Sequence, residues 1–176
     1  MKQRTRNTAL LTLLLLIITA SCLIFGLQQV QKIVYPLKYE REVDKWAREF
    51  DVDPLLVYAV IDAESGFSPN AVSHANAHGL MQITEDTFEW AVWKMKTEDS
   101  FDDVFVPDVN IKYGTYILSL LTHEFGSVPV ALAAYNAGRG NVLKWLKDKE
   151  ISPDGKSLKN IPFEETKNYV PKVLGN

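Results

Sequence analysis

Apolar positions fall into one long uncharged run and then a series of short stripes at helical spacing. The run, 9–27, holds 19 residues without a charge and is rich in Leu and Ile, just enough to cross a bilayer as a helix. Beyond it, Val43, Trp46, Ala47 and Phe50 make one amphipathic stripe, and Leu56, Ala59, Val60 and Ala63 a second. Asp53 suits the N-cap of the second helix, Pro54 its first position and Gly66 its stop. Thr84 is predicted to cap a helix running to about residue 96, and Asp108 one that carries Ile111, Leu118, Leu121 and Phe125 and stops at Gly126. Segments 129–137, 141–149 and 162–173 complete the set. Pro171 falls inside the last and is expected to kink or end it, which bears on where Tyr169 stands. No sustained apolar alternation occurs, so strands should be few or short and the fold class is all-α.

Charge adds an orientation. Lys2, Arg4 and Arg6 precede the apolar run and no acid does, which places that side in the cytoplasm and the rest outside. The expected organisation is a basic N-terminus (1–8), a transmembrane signal-anchor (9–27), a short linker (28–38) and one domain (39–176). A cleaved signal peptide is the rival reading, but the run continues through Leu23, Ile24 and Phe25 past the small residues at 19–21. Cys22 is the single cysteine, so the domain holds no disulfide. Thr19-Ala20-Ser21-Cys22 is similar to a bacterial lipoprotein processing site, with Thr19 where an aliphatic residue is usual. About ten linker residues reach roughly 35 Å at most, which keeps the domain close to the membrane. With the three leading residues removed from the 19 basic ones, 16 remain against 22 acidic, a net charge of −6. That balance argues against nucleic acid as a partner.

The sharpest chemical candidate is Glu64, beside the apolar stripe in the last turn of its helix. Partial burial and the negative end of the helix dipole both disfavour a charged carboxylate there, so its pKa should rise as a general acid requires. Other groupings carry less. His74 and His78 stand four apart, but no Glu follows His74 and the stretch lacks helical patterning, so they read as surface loop residues and not a zinc site. Asp108, Asn110 and Lys112 begin like a calcium loop but put a cation and Tyr113 where an acceptor and a Gly belong. The acidic run 98–103 reads as a solvated loop, and Trp90, Trp93 and Trp145 stay unassigned between core and sugar stacking.

Around Glu64 the chain carries Ser65 and Phe67, then Ser73, Ala77 and the run Gly79-Leu80-Met81-Gln82-Ile83. Further on come Ala133-Ala134-Tyr135-Asn136-Ala137-Gly138, and then Ile161-Pro162-Phe163-Glu164-Glu165-Thr166 with Tyr169-Val170. In order and spacing these resemble the three motifs of the lytic transglycosylases, closest to the soluble lytic transglycosylase type of catalytic domain, over residues 35–173. The chain departs from the family pattern at Asn76 (usually Gly), Glu85 (commonly Pro) and Arg139 (Pro). Asn tolerates a left-handed backbone well enough for the turn at 76 to survive.

The resemblance implies an α-helical, lysozyme-like domain with a sugar-binding cleft, and peptidoglycan glycan strands as substrate. It implies that Glu64 protonates the glycosidic oxygen between N-acetylmuramic acid and N-acetylglucosamine, with the muramyl acetamido group stabilising the cation. Glu64 then takes the proton of the muramyl 6-hydroxyl as a 1,6-anhydro ring closes. No cofactor or metal is implied. By the same resemblance Ser73 orients the acetamido group, Met81 and Gln82 line the cleft, Tyr135 and Asn136 hydrogen-bond near Glu64 or the sugar, and Glu165 and Tyr169 brace the site. The residues agree in one respect: Asp62 lies about 200° around the helix from Glu64 and cannot face the same sugar, so the paired carboxyls of ordinary glycosidases are missing from the strip. A lysozyme-type hydrolase and a non-catalytic peptidoglycan-binding scaffold remain as alternatives, and any wall-synthesis partners stay unidentified.

Overall fold

The structure, a computed structural model, describes residues 14–23 and 38–175. The chain divides into two compact units, 1–40 and 41–176. In the first, 14–23 is helical (α1) with exposed side chains, Leu14 to Ile18 and Cys22 among them. No helix among the described residues is long and apolar enough to cross a membrane. The rest of the expected anchor and nearly all of the linker lie outside the described residues.

The second unit holds α2 (Glu40–Glu49) from its second residue on, α3 (Pro54–Ser65), α4 (Glu85–Met95), a 3-10 turn (Phe101–Phe105), α5 (Pro107–Phe125), α6 (Val128–Ala137), α7 (Arg139–Trp145) and α8 (Glu164–Gly175). Its strands are two residues each: β1 (Ala77–His78) pairs antiparallel with β2 (Ile83–Thr84), Ala77 opposite Thr84. The expected all-helical character with minimal sheet is what the described residues show.

Local signals set several helix ends. The Asp53 carboxylate accepts from the Leu55 amide at 2.9 Å, Pro54 opens α3, and Gly66 closes it in the left-handed region at φ 57°. Gly126 ends α5 in the same way at φ 60°. α6 presents Ala131, Leu132, Ala133 and Ala134 fully buried, small enough for α5 and α8 to close on either side of it. α3 packs on α8, so the middle of the domain is α3, α5, α6 and α8 around Val60, Ile61, Leu118 and Leu132.

Several expectations need correction. Asp108 does not cap α5: the helix starts at Pro107, and the Asp108 carboxylate takes hydrogen bonds from Trp46 Nε1 at 2.8 Å and from Lys45 Nζ, tying α5 to α2. Thr84 stands at the N-cap of α4, but its hydroxyl meets Thr87 Oγ1 at 2.9 Å and caps no backbone amide. The buried side of α3 is wider than the four-residue stripe: Val57 and Ile61 are fully buried while Leu56 is half-buried. α7 is shorter than 141–149, ending at Trp145, which is buried edge-on against Phe163. His78 is no surface loop residue. It lies in β1, half-buried, with its ring edge-on to Phe101 and Phe105. Part of the acidic run is also anchored: Asp99 takes hydrogen bonds from Lys112 and Tyr113, which hold its carboxyl below the usual range. Pro171 does not end α8, which runs on to Gly175 because Tyr169, Val170 and Val173 are buried on both sides of the proline.

Candidate active site

Val57, Val60, Ile61 and Glu64 follow one another at spacings of three, one and three along α3, so the stripe that anchors the helix also delivers the Glu64 carboxyl inward. Glu64 opens into a cleft of about 610 Å³. One wall is the loop and small sheet after α3, with Ser73, Ala75, Ala77, Gln82, Ile83 and Thr84, joined by Thr87 of α4. The other is helical: Ile117 of α5, Tyr135 and Asn136 of α6, and Glu165, Asn168, Tyr169 and Lys172 of α8.

The helical wall surrounds Glu64 with titratable groups. Burial pushes the Glu64 pKa up to about 7, and the nearby charge of Glu165 adds to the rise. Opposing this are the Tyr169 hydroxyl and the Lys172 ammonium. The Tyr169 hydroxyl is buried without a partner at full hydrogen-bond geometry, so its contact with Glu64 is a looser one. Burial and the Glu64 charge likewise keep the Tyr135 and Tyr169 phenols protonated well above their ordinary range. Asn136 holds Glu165, its Nδ2 donating at 3.2 Å, while its Oδ1 accepts from Thr166 at 2.6 Å.

The loop wall stands on strained backbone and buried hydrogen bonds. Asn76, Gly79 and Gln82 all have positive φ, at 58°, 79° and 49°. At Gly79 a Cβ would lie 2.9 Å from the Val104 carbonyl and collide with the Asn110 amide, so only glycine fits. Asn110, fully buried, donates to the carbonyls of His78 at 3.0 Å and Val104 at 2.8 Å and accepts from the Met81 amide at 2.7 Å. Gln82 donates back to the Gly79 carbonyl at 2.8 Å, and Ser73 Oγ accepts from the Ala77 amide at 3.1 Å. Tyr135 joins the two walls by donating to the Met81 carbonyl at 2.8 Å, and the Ser65 hydroxyl, 2.8 Å from the Leu80 carbonyl, ties the end of α3 to the loop wall.

Seven of the eight residues singled out in the sequence therefore line one cleft: Glu64, Ser73, Gln82, Tyr135, Asn136, Glu165 and Tyr169. Met81 does not. Its side chain is fully buried against Gly114, where a Cβ would sit 2.7 Å from Met81 Cβ, and it serves the cleft through its backbone alone. Thr84, three residues on, lines the cleft instead. Lys172, Thr87 and Asn168 line the cleft without having been anticipated, and Asn110 was weighed only as a cation ligand. Trp90 lines a neighbouring groove that shares Thr87, Ile117 and Tyr135 with the cleft, whereas Trp93 is 71% exposed. Among the described residues no cluster of His, Cys, Asp and Glu could hold a metal ion.

A helical domain with one half-buried carboxyl at a helix end, facing an open cleft, is the architecture of the lysozyme-like glycan-cleaving proteins. The chain belongs to the transglycosylase SLT domain family, whose pattern matches residues 41–157. It is 33% identical over 144 residues to the soluble lytic murein transglycosylase of Salmonella typhimurium, covering 80% of this chain and 22% of that protein. To membrane-bound lytic murein transglycosylase C of Actinobacillus pleuropneumoniae it is 34% identical over 154 residues, covering 74% and 42%. Its fold superposes on an inactive Glu-to-Gln mutant of lytic transglycosylase Slt from Pseudomonas aeruginosa with a TM-score of 0.68 at 32% identity, over 82% of this chain and 24% of that one. The 70-kDa soluble lytic transglycosylase in complex with bulgecin A gives 0.69 at 28% identity, over 85% and 25%. The chain thus spans between 22% and 42% of the length of these relatives.

Proposed function

We propose that this protein is a peptidoglycan lytic transglycosylase that cleaves the β-1,4 bond between N-acetylmuramic acid and N-acetylglucosamine and leaves 1,6-anhydromuramic ends. The observation that carries this is Glu64, a half-buried carboxyl with its pKa raised to about 7 in a cleft built by family motifs. At neutral pH such a group holds a proton to give and can take one back. Protonated Glu64 donates to the glycosidic oxygen, the bond from the muramyl anomeric carbon to that oxygen breaks, and the muramyl acetamido group shields the resulting cation. Carboxylate Glu64 then removes the proton of the muramyl 6-hydroxyl as O6 bonds to the anomeric carbon. No water enters, so the reaction is a lyase reaction.

In this reading Ser73 orients the acetamido group from the loop wall, Gln82 shapes the sugar bed, and Tyr135 and Asn136 place polar atoms beside the scissile bond. Glu165 and Tyr169 brace Glu64 from α8. The Glu-to-Gln change that accompanies inactivity in the Pseudomonas aeruginosa protein fits a glutamate in this role. We also assign 9–27 as a membrane anchor that keeps the domain on the outer face, in keeping with the membrane-bound kind among its relatives. Mass spectrometry of the products from purified cell wall tests the reaction: anhydromuramic ends, lighter by one water, are expected. Reducing muramic ends alone would make the enzyme a hydrolase of the lysozyme type. Retention of full-length protein in the membrane fraction after high salt tests the anchor. A soluble form starting near Cys22 would replace it with a cleaved signal, and loss of retention in Cys22→Ala with lipidation.

A further inference from the structure

Lys172 stands one residue past Pro171, on the stretch of α8 that the proline was expected to end. Its Nζ donates at 2.8 Å to the carbonyl of Ala63, 109 residues away in the chain. That carbonyl is among those an α-helix leaves without an intrahelical partner at its C-terminus, and the next residue is Glu64. An ammonium there also complements the negative end of the helix dipole. The groups with charge or a titrating proton that face Glu64 are Tyr135 from α6 and Glu165, Tyr169 and Lys172 from α8. Lys172 is the one cation in the described lining.

We propose that Lys172 is a positioning residue for the Glu64 reaction: it grips the end of α3 that carries the carboxyl and sets a positive charge where carboxylate must form when the proton leaves. The proposal rests on the lytic transglycosylase reading. Burial and Glu165 both hold the proton on Glu64, which opposes the first half of the reaction, and Lys172 offsets that resistance without neutralising the group. Helix grip and charge come from one side chain, so a shift of α8 would move both together.

The test compares wild type with Lys172→Met, Lys172→Gln and Lys172→Arg in the full chain. The pH profile of kcat/KM on purified peptidoglycan is read together with direct titration of the Glu64 carboxyl carbon by NMR. Activity falls with rising pH as Glu64 loses its proton, so removing the cation should move that alkaline limb, and the NMR midpoint, upward by roughly half a unit. Lys172→Met should also lower kcat several-fold with little change in KM, and Lys172→Arg should restore both. Lys172→Gln keeps a donor for Ala63 but no charge, so it should show the pH shift with a smaller loss, and it carries the test if Lys172→Met fails to fold. A loss uniform across pH with the limb and the NMR midpoint unmoved would reduce Lys172 to a structural clamp and overturn the proposal, as would no change at all. Absence of anhydro products from wild type would remove the reaction itself, while the NMR midpoint would still decide the role of Lys172.

Discussion

The two walls of the cleft are held by different physics. The helical wall is rigid through packing: α6 and α8 are locked by fully buried small and branched residues, and the polar side chains they carry face the cleft from settled backbones. The loop wall buries Ala77, Leu80, Met81 and Ile83 but adopts backbone conformations that cost energy at Asn76 and Gln82. It is kept in place by Asn110 beneath it, by Gly79 above Asn110 and by the Tyr135 hydroxyl across the cleft. In the proposed reaction α3 and the helical wall thus hold the proton-transferring Glu64 and the groups that tune it, and the loop wall supplies a shaped surface. Damage to the first should appear in rate and pH dependence, and damage to the second in stability.

The largest effect belongs to α3. Glu64→Gln keeps the size and most of the packing of the side chain and removes its proton transfer, so glycan cleavage should fall by at least about a hundredfold with an unchanged circular dichroism spectrum. Activity within tenfold of wild type, only about 1.4 kcal/mol of transition-state stabilisation, would mean that another group is the acid and that the contrast between the walls is misplaced.

The loop wall should answer in the opposite way. Asn110→Ala removes three hydrogen bonds that hold the loop from beneath, two of them fully buried, at a cost of about 3 kcal/mol. Urea unfolding should show the loss, with activity falling in proportion to folded protein. A midpoint unchanged from wild type would show that the loop keeps its shape by other means. Tyr135→Phe cuts one bond between the walls and leaves the Met81 carbonyl unpaired, so it should cost less, about 1–2 kcal/mol by the same measurement.

The contrast between the walls also tracks what the sequence revealed. Asp53, Pro54, Gly66 and Gly126 were readable because a cap or a left-handed stop involves neighbours in the chain. Glu64 was readable because helix position and an apolar stripe together imply partial burial. Asp108 was misread because its partners, Lys45 and Trp46, lie more than sixty residues away and outcompete a local cap. Met81 was misread because whether a loop side chain faces substrate or core depends on the helix beneath, here on the gap left by Gly114, and nothing local marked Asn110 of that helix as the residue that holds the loop. Lys172 was hidden by Pro171, since tertiary burial of Val170 and Val173 overrode the proline's tendency to end a helix.

The smallest effect is also the finest test of the helical wall, because it measures in stability what the wall does to Glu64. The carboxyl has a folded pKa of about 7 against an ordinary 4.5, so between these values the folded protein binds more protons than the unfolded chain, and stability must fall as pH rises through that window. Below pH 4.5 the group is protonated in both states and contributes no difference, and above about pH 7 the cost is complete. Because the cleft is open to solvent and screening weakens the interaction, this cost is on the order of 1 kcal/mol. Glu64→Gln cannot ionise, so it should match wild type in unfolding free energy near pH 4.5 and exceed it by about that amount at pH 8. Equal stabilities at both pH values would show that the wall does not hold Glu64 in its protonated form. A variant less stable at pH 8 would show that ionised Glu64 is favoured in the fold, with Lys172 and Tyr169 outweighing burial.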